Sequence, residues 1–155
     1  MLVGEPVALS GCTVLASRTP RPDPLEAPAR RAEADAALAQ AVAQAMAQTH
    51  PALAGAARAL AADRAAHASA LRAQLRRVRP GAAGGASPQP VSSPAMVPPA
   101  SLAGPVQARA VLSEAMLAAQ GEATTLVINS PLPGSRAALL GSVAACCASH
   151  GVLLR

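Results

Sequence analysis

Residues 51–78 read PALAGAARALAADRAAHASALRAQLRRV, and in them Leu53, Leu60, His67, Leu71, Leu75 and Val78 recur at near-heptad spacing, with Ala57 completing the stripe. That spacing predicts one long amphipathic helix. Pro51 suits a first helical position, where its missing N–H would have no partner, and it disfavours helical geometry at His50 before it. Thr49, His50 and Pro51 therefore form a corner that ends an earlier helix. In that helix Leu38, Val42 and Met46 follow at i, i+4 and i+8 among alanines and glutamines. It begins near Pro24 or Pro28, with Asp23 or Ala27 in the capping position. Two helices with narrow apolar stripes and a short corner are expected to fold back on each other, so residues 24–78 read as a first helical hairpin.

Residues 79–104 break the pattern with Pro80, Gly81, Gly84, Gly85, Pro88, Pro90, Pro94, Pro98 and Pro99. No apolar face repeats there, and the stretch reads as a disordered Pro/Gly/Ala-rich linker. Pro105 opens a third helix with Leu112, Met116, Ala119, Ala123 and Leu126 on one face, and Gly121 weakens its middle. Glu122 to Asn129 is less helix-like. Ser130, Pro131, Leu132, Pro133 and Gly134 turn the chain into a fourth helix from about Ser135 to Leu154. Leu139, Leu140, Val143, Cys146, Cys147, Val152 and Leu153 make that helix apolar nearly all round, so it is expected to be the most buried of the set. A transmembrane span over 137–154 is the competing reading by length. Gly141, Ser142, Ser149, His150 and Gly151 dilute its hydrophobicity and favour a bundle core.

A hairpin, a long connection and a second hairpin over 105–155 give an all-α, antiparallel four-helix bundle with ferritin-like connectivity, both hairpins forming one domain. The segments carrying a family resemblance are Leu9 to Cys12, His50-Pro51-Ala52-Leu53 through Asp63-Arg64-Ala65-Ala66-His67, and Gly134 through Ser142. In these the chain resembles an alanine-rich, ferritin-like lipoprotein family of mycobacteria and related actinobacteria, to which no activity is assigned. The resemblance implies a lipid-anchored helical bundle.

All 13 basic residues are arginine, the net charge is +5, and Phe, Tyr and Trp are absent. Each aromatic side chain would bury about 150–250 Å², so a core of Leu, Val, Met and Ala is thin and modest stability is expected. Only Arg72, Arg76, Arg77 and Arg79 cluster, at a helix end where cations favour the macrodipole. Without lysines or stacking aromatics on a basic face, nucleic acid is not an expected partner.

Leu9, Ser10, Gly11 and Cys12 place a small pair between an aliphatic residue and a cysteine, which resembles the lipobox of bacterial lipoproteins. Cys12 is the lipidation candidate. Residues 1–23 then divide into a partial signal and a Pro- and Arg-rich tether from Thr13 to Asp23. Met1 to Ala8 supplies no positive charge, and Glu5 and Pro6 interrupt the apolar run. An ordinary thiol in an unstructured N-terminus is the alternative.

Metal-using ferritin-like bundles need Glu-x-x-His on two helices. None of Glu26, Glu33, Glu114 and Glu122 has His three residues on, so a di-iron centre is not expected. Asp63 and His67 stand at i, i+4, where the carboxylate could accept from an imidazole on the apolar stripe. His150 lies one helical turn from Cys146 without a third ligand. Cys146 and Cys147 point about 100° apart on a helix, too divergent for an easy disulfide, and read as small hydrophobes. Ser142 sits mid-helix, away from the strand-to-helix turn that a nucleophile elbow requires. No cofactor is expected, and His67, Cys146, Cys147 and His150 are the residues left for a metal or redox site.

The expected function is a non-enzymatic envelope interaction or scaffold module on the outer face of the cell membrane, held by its lipid anchor. The alternatives are a cytoplasmic bundle that binds a protein partner or oligomerises to complete its core, and a metal- or redox-binding ferritin-like protein.

Overall fold

The computed structural model describes residues 22–78 and 104–154. These form four helices and, among the described residues, no strand: α1 (Glu26–Met46), α2 (Pro51–Val78), α3 (Pro105–Asn129) and α4 (Gly134–Leu153). The protein is an all-α four-helix bundle. The lipobox-like segment, most of the tether and nearly all of the expected linker lie outside the described residues.

Local chemistry sets the helix ends. Leu25 takes the N-cap of α1, while Asp23 sits two residues earlier and its Oδ1 accepts the Leu25 N–H at 2.9 Å. Neither Asp23 nor Ala27 is the cap residue, but Asp23 still satisfies one of the N–H groups that a helix start leaves unpaired. Pro51 opens α2, and the His50 carbonyl accepts the Ala54 N–H at 3.0 Å. Pro105 opens α3 in the same way behind Gly104. Despite Gly121 and its β-branched tail, α3 continues to Asn129, where Pro131 forces Ser130 into extended geometry.

Ion pairs fix the directions of the helices. Asp35 meets Arg64 and Glu33 meets Arg72, so α1 and α2 run antiparallel and form the most extensive pairing. The Ser130–Pro133 turn folds α4 back on α3. Arg31 at the start of α1 reaches Glu122 near the end of α3, and Asp23 reaches Arg136 at the start of α4. Thus α1 lies between α2 and α3, and α4 between α3 and α2. By these pairings α2 and α3 run the same way, with Val78 and Gly104 at opposite ends of the bundle.

The core joins Leu25, Val42, Met46, Leu53, Leu60, Leu71, Leu112, Met116, Leu140, Val143 and Cys147. The α1–α2 seam is mostly alanine, with Ala29, Ala32, Ala39, Ala43, Ala54, Ala57, Ala61 and Ala68 all buried. Such small side chains let two helices approach closely. The stripe on α2 runs 57, 60, 64, 68, 71 and passes through Arg64, leaving His67 half-buried beside it. On α1 the matching stripe is 35, 39, 42, 46, so Asp35 occupies a core position and Leu38 is only partly buried.

The expectation that α4 is the most buried helix is corrected. α4 is less buried than α1 or α2: its buried residues are Arg136, Leu140, Val143, Cys147 and Gly151, while Val152 and Leu153 are exposed. A bundle corner covers only one stripe of a helix, however apolar the rest. By length and composition α4 could cross a membrane, but here it packs against α3 and α2.

Candidate functional site

Among the described residues, Arg64 and Asp35 are the most deeply buried charged pair, ahead of Arg136 with Asp23. The Arg64 and Asp35 side chains are 2% and 8% exposed. Arg64 Nη2 and Nε both donate to Asp35 Oδ2, at 2.7 and 3.1 Å, and Nη1 reaches the Cys147 Sγ at 3.4 Å. Nη1 also lies 3.4 Å from His67 Nδ1. Guanidinium nitrogens only donate, so this contact places the imidazole proton on Nε2.

Burial pushes the Asp35 carboxyl above its ordinary value, against the opposing pull of Arg64. It holds His67 below the ordinary imidazole value, helped by the Arg64 charge. Burial also raises both thiols, Cys147 and Cys146. The thiols are therefore kept protonated at neutral pH, which disfavours thiolate chemistry in the absence of a metal.

A second group forms where α4 meets α2. Cys146 and His150, one turn apart on α4, face Asp63 of α2, and one ligand atom from each lies within 4.8 Å of the others. His150 Nε2 donates to Asp63 Oδ2 at 2.8 Å. Asp63 is open to solvent, and the other two are partly covered. The third ligand missing from the reading of α4 thus comes from another helix.

The expected i, i+4 partnership of Asp63 with His67 is replaced by this cross-helix pair: Asp63 bonds His150, and His67 turns toward Arg64. Of the four residues considered for a metal or redox site, His150 and Cys146 share one cluster. Cys147 and His67 belong to the arginine network behind it. The two cysteines are free and point to different neighbours.

Other candidates are placed by simpler contacts. His50 Nδ1 lies 3.0 Å from the Thr49 hydroxyl on the exposed corner. The Ser142 hydroxyl donates to the Leu139 carbonyl at 2.7 Å on its own helix, in no strained turn. Three glutamates stay on the outside, Glu33 with Arg72, Glu122 with Arg31 and Glu26 near Arg30. A di-iron site would need such carboxylates gathered inside; the bundle centre holds Arg64 and Asp35 instead. Cys12 lies outside the described residues.

Sequence reasoning missed the Arg64–Asp35 pair. The signal was available: a charge on each of two apolar stripes, at core positions facing one another. No protein-family model, curated protein or solved structure matches the chain.

Proposed function

We propose that this chain is a non-enzymatic interaction module, held at the outer face of the membrane by lipidation of Cys12, and that it pairs with a second copy of itself through the outer side of α4. The observation that carries the reading is the distribution of charge. α1 and α2 hold Arg30, Arg31, Glu33, Arg58, Asp63, Arg72, Arg76 and Arg77. The outward side of α4 presents Ala138, Gly141, Ser142, Ala145, Ser149 and Val152, all exposed and all uncharged. Its one arginine, Arg136, is buried against Asp23, and His150 turns to Asp63.

A neutral face of small side chains lets two copies meet without bringing their net positive charges together, and a two-fold pairing would bury the same patch on both. On α3, Val106, Leu117 and Ile128 are exposed apolar side chains that share one line of that helix at intervals of eleven residues, three helical turns. We read the connectivity as ferritin-like, because the parallel course of α2 and α3 demands a crossover rather than a tight turn. The protonated thiols and the self-bonded Ser142 hydroxyl favour binding over catalysis.

Light scattering across a dilution series tests the pairing. Wild type should dissociate from dimer to monomer, and Ala145→Glu should be monomeric throughout with unchanged helicity. A wild-type monomer at every concentration overturns the pairing. Labelling with an alkyne fatty acid, compared with Cys12→Ala, tests the anchor separately. Equal labelling removes it and leaves an unanchored bundle.

A further inference from the structure

We propose that Asp63, Cys146 and His150 form a mononuclear site for a divalent cation of the zinc type, tying α2 to α4. The three donors are a carboxylate oxygen, a thiol sulfur and an imidazole nitrogen, the mixed O, S and N set that zinc accepts. Bond lengths of about 2.0–2.3 Å put tetrahedral ligand atoms roughly 3.3–3.8 Å apart. The three atoms already lie within 4.8 Å of one another, and the shortest pair, His150 Nε2 to Asp63 Oδ2, is 2.8 Å. Closing on a cation therefore takes shifts of about an ångström, the His–Asp contact opening to admit the ion.

The surroundings suit such an ion. Asp63 and an ionised Cys146 supply two negative charges to a doubly positive cation. The guanidinium of Arg64, which stands behind the site, is already compensated by Asp35. His67 stands next to the guanidinium and is held in its neutral form. The solvent-exposed carboxylate gives an entry path, and three protein ligands leave a fourth position for water.

Protons balance simply. The Cys146 thiol loses its proton to solvent as the sulfur coordinates, and the imidazole gives up its Nε2 proton and carries one on Nδ1 instead. Binding therefore strengthens as pH rises. The cation would clamp the α2–α4 contact, which is the least extensive of the four between neighbouring helices. It would tie the two hairpins to each other.

Cobalt(II) is the probe, because thiolate coordination gives it a near-ultraviolet charge-transfer band. Titrating the full chain should raise that band to one equivalent, zinc(II) should abolish it, and Cys12→Ser should leave it intact. Cys146→Ser should remove it, while Asp63→Asn and His150→Gln weaken binding at least tenfold. If Cys146→Ser does not fold, the thermal midpoint decides: zinc should raise it in wild type, a chelator should reverse the rise, and surface-exposed Asp63→Asn should show a smaller rise at the same zinc concentration. No stoichiometric band, a band that survives Cys146→Ser, or equal zinc response in Asp63→Asn overturns the site.

Discussion

Replacing Arg64 by Met keeps much of the length of the side chain but leaves the Asp35 carboxylate without the two N–H groups that reach its Oδ2 at 2.7 and 3.1 Å. Both side chains are almost wholly removed from water, so solvent cannot take over. Breaking one side of such a pair costs about 3–5 kcal/mol. Against a total stability of about 5–15 kcal/mol for a domain, that is a large fraction.

The two single variants should not be equal. A carboxyl abandoned by Arg64 can take up a proton, a change that burial already favours. A guanidinium abandoned in Asp35→Ala cannot lose one. Asp35→Ala should therefore be the more damaging change, and Arg64→Met should recover part of its loss in mild acid. Replacing both, in Asp35→Leu with Arg64→Met, removes the charges together and should be neutral or more stable than wild type by about 1–4 kcal/mol. Urea unfolding of wild type, Asp35→Ala, Asp35→Leu, Arg64→Met and the double variant, followed by far-ultraviolet circular dichroism, compares the singles, and the cycle through Asp35→Leu and Arg64→Met gives the coupling energy. An Arg64→Met cost under about 1 kcal/mol, or a double variant less stable than either single, would refute the reasoning.

Gly121 lies in the interior of α3, and a Cβ built on it meets nothing within 4 Å; Gly121→Ala should add about 0.5–1 kcal/mol to stability in the same urea assay. His67 is held below 6.5 by burial first, then by the charges of Arg64 and His150, with Asp63 opposing them. Its neutral form is the one that the fold prefers. The associated stability is fully present above 6.5 and is lost as pH falls through that value toward the depressed one. His67→Gln should flatten this part of the stability profile, and an unchanged slope would assign the acid loss elsewhere. A separate loss below 4.5 belongs to Glu33, whose hydrogen bond from Arg72 lowers its pKa.

The helices were legible because their boundaries depend on residues next to each other in sequence. Pro51, Pro105 and Pro131 mark three of the ends, and the apolar stripes that the spacing predicts contain Leu60, Leu71, Leu112 and Met116, all buried. Which side of a helix faces inward was harder to read in α2. Alanine is compatible with either surface, so the heptad count could be drawn through His67 as easily as through Arg64. A stripe rule based on hydrophobicity discards an arginine, yet a facing carboxylate makes one acceptable at the centre. The cluster at Asp63 was only half legible. Cys146 and His150 are neighbours by helical period, but Asp63 comes from 87 positions away and depends on how the hairpins dock.

The alanine seam between α1 and α2 makes the tolerance of this protein one-sided. Ala39, Ala54 and Ala57 are wholly enclosed; trimming them removes one methyl group, whereas nearly every other replacement enlarges them. Overfilling a packed interior costs about 1–3 kcal/mol. Mutational harm in this half of the molecule should arise from wedges driven between the helices rather than from voids, and relief should come from shrinking the residue opposite.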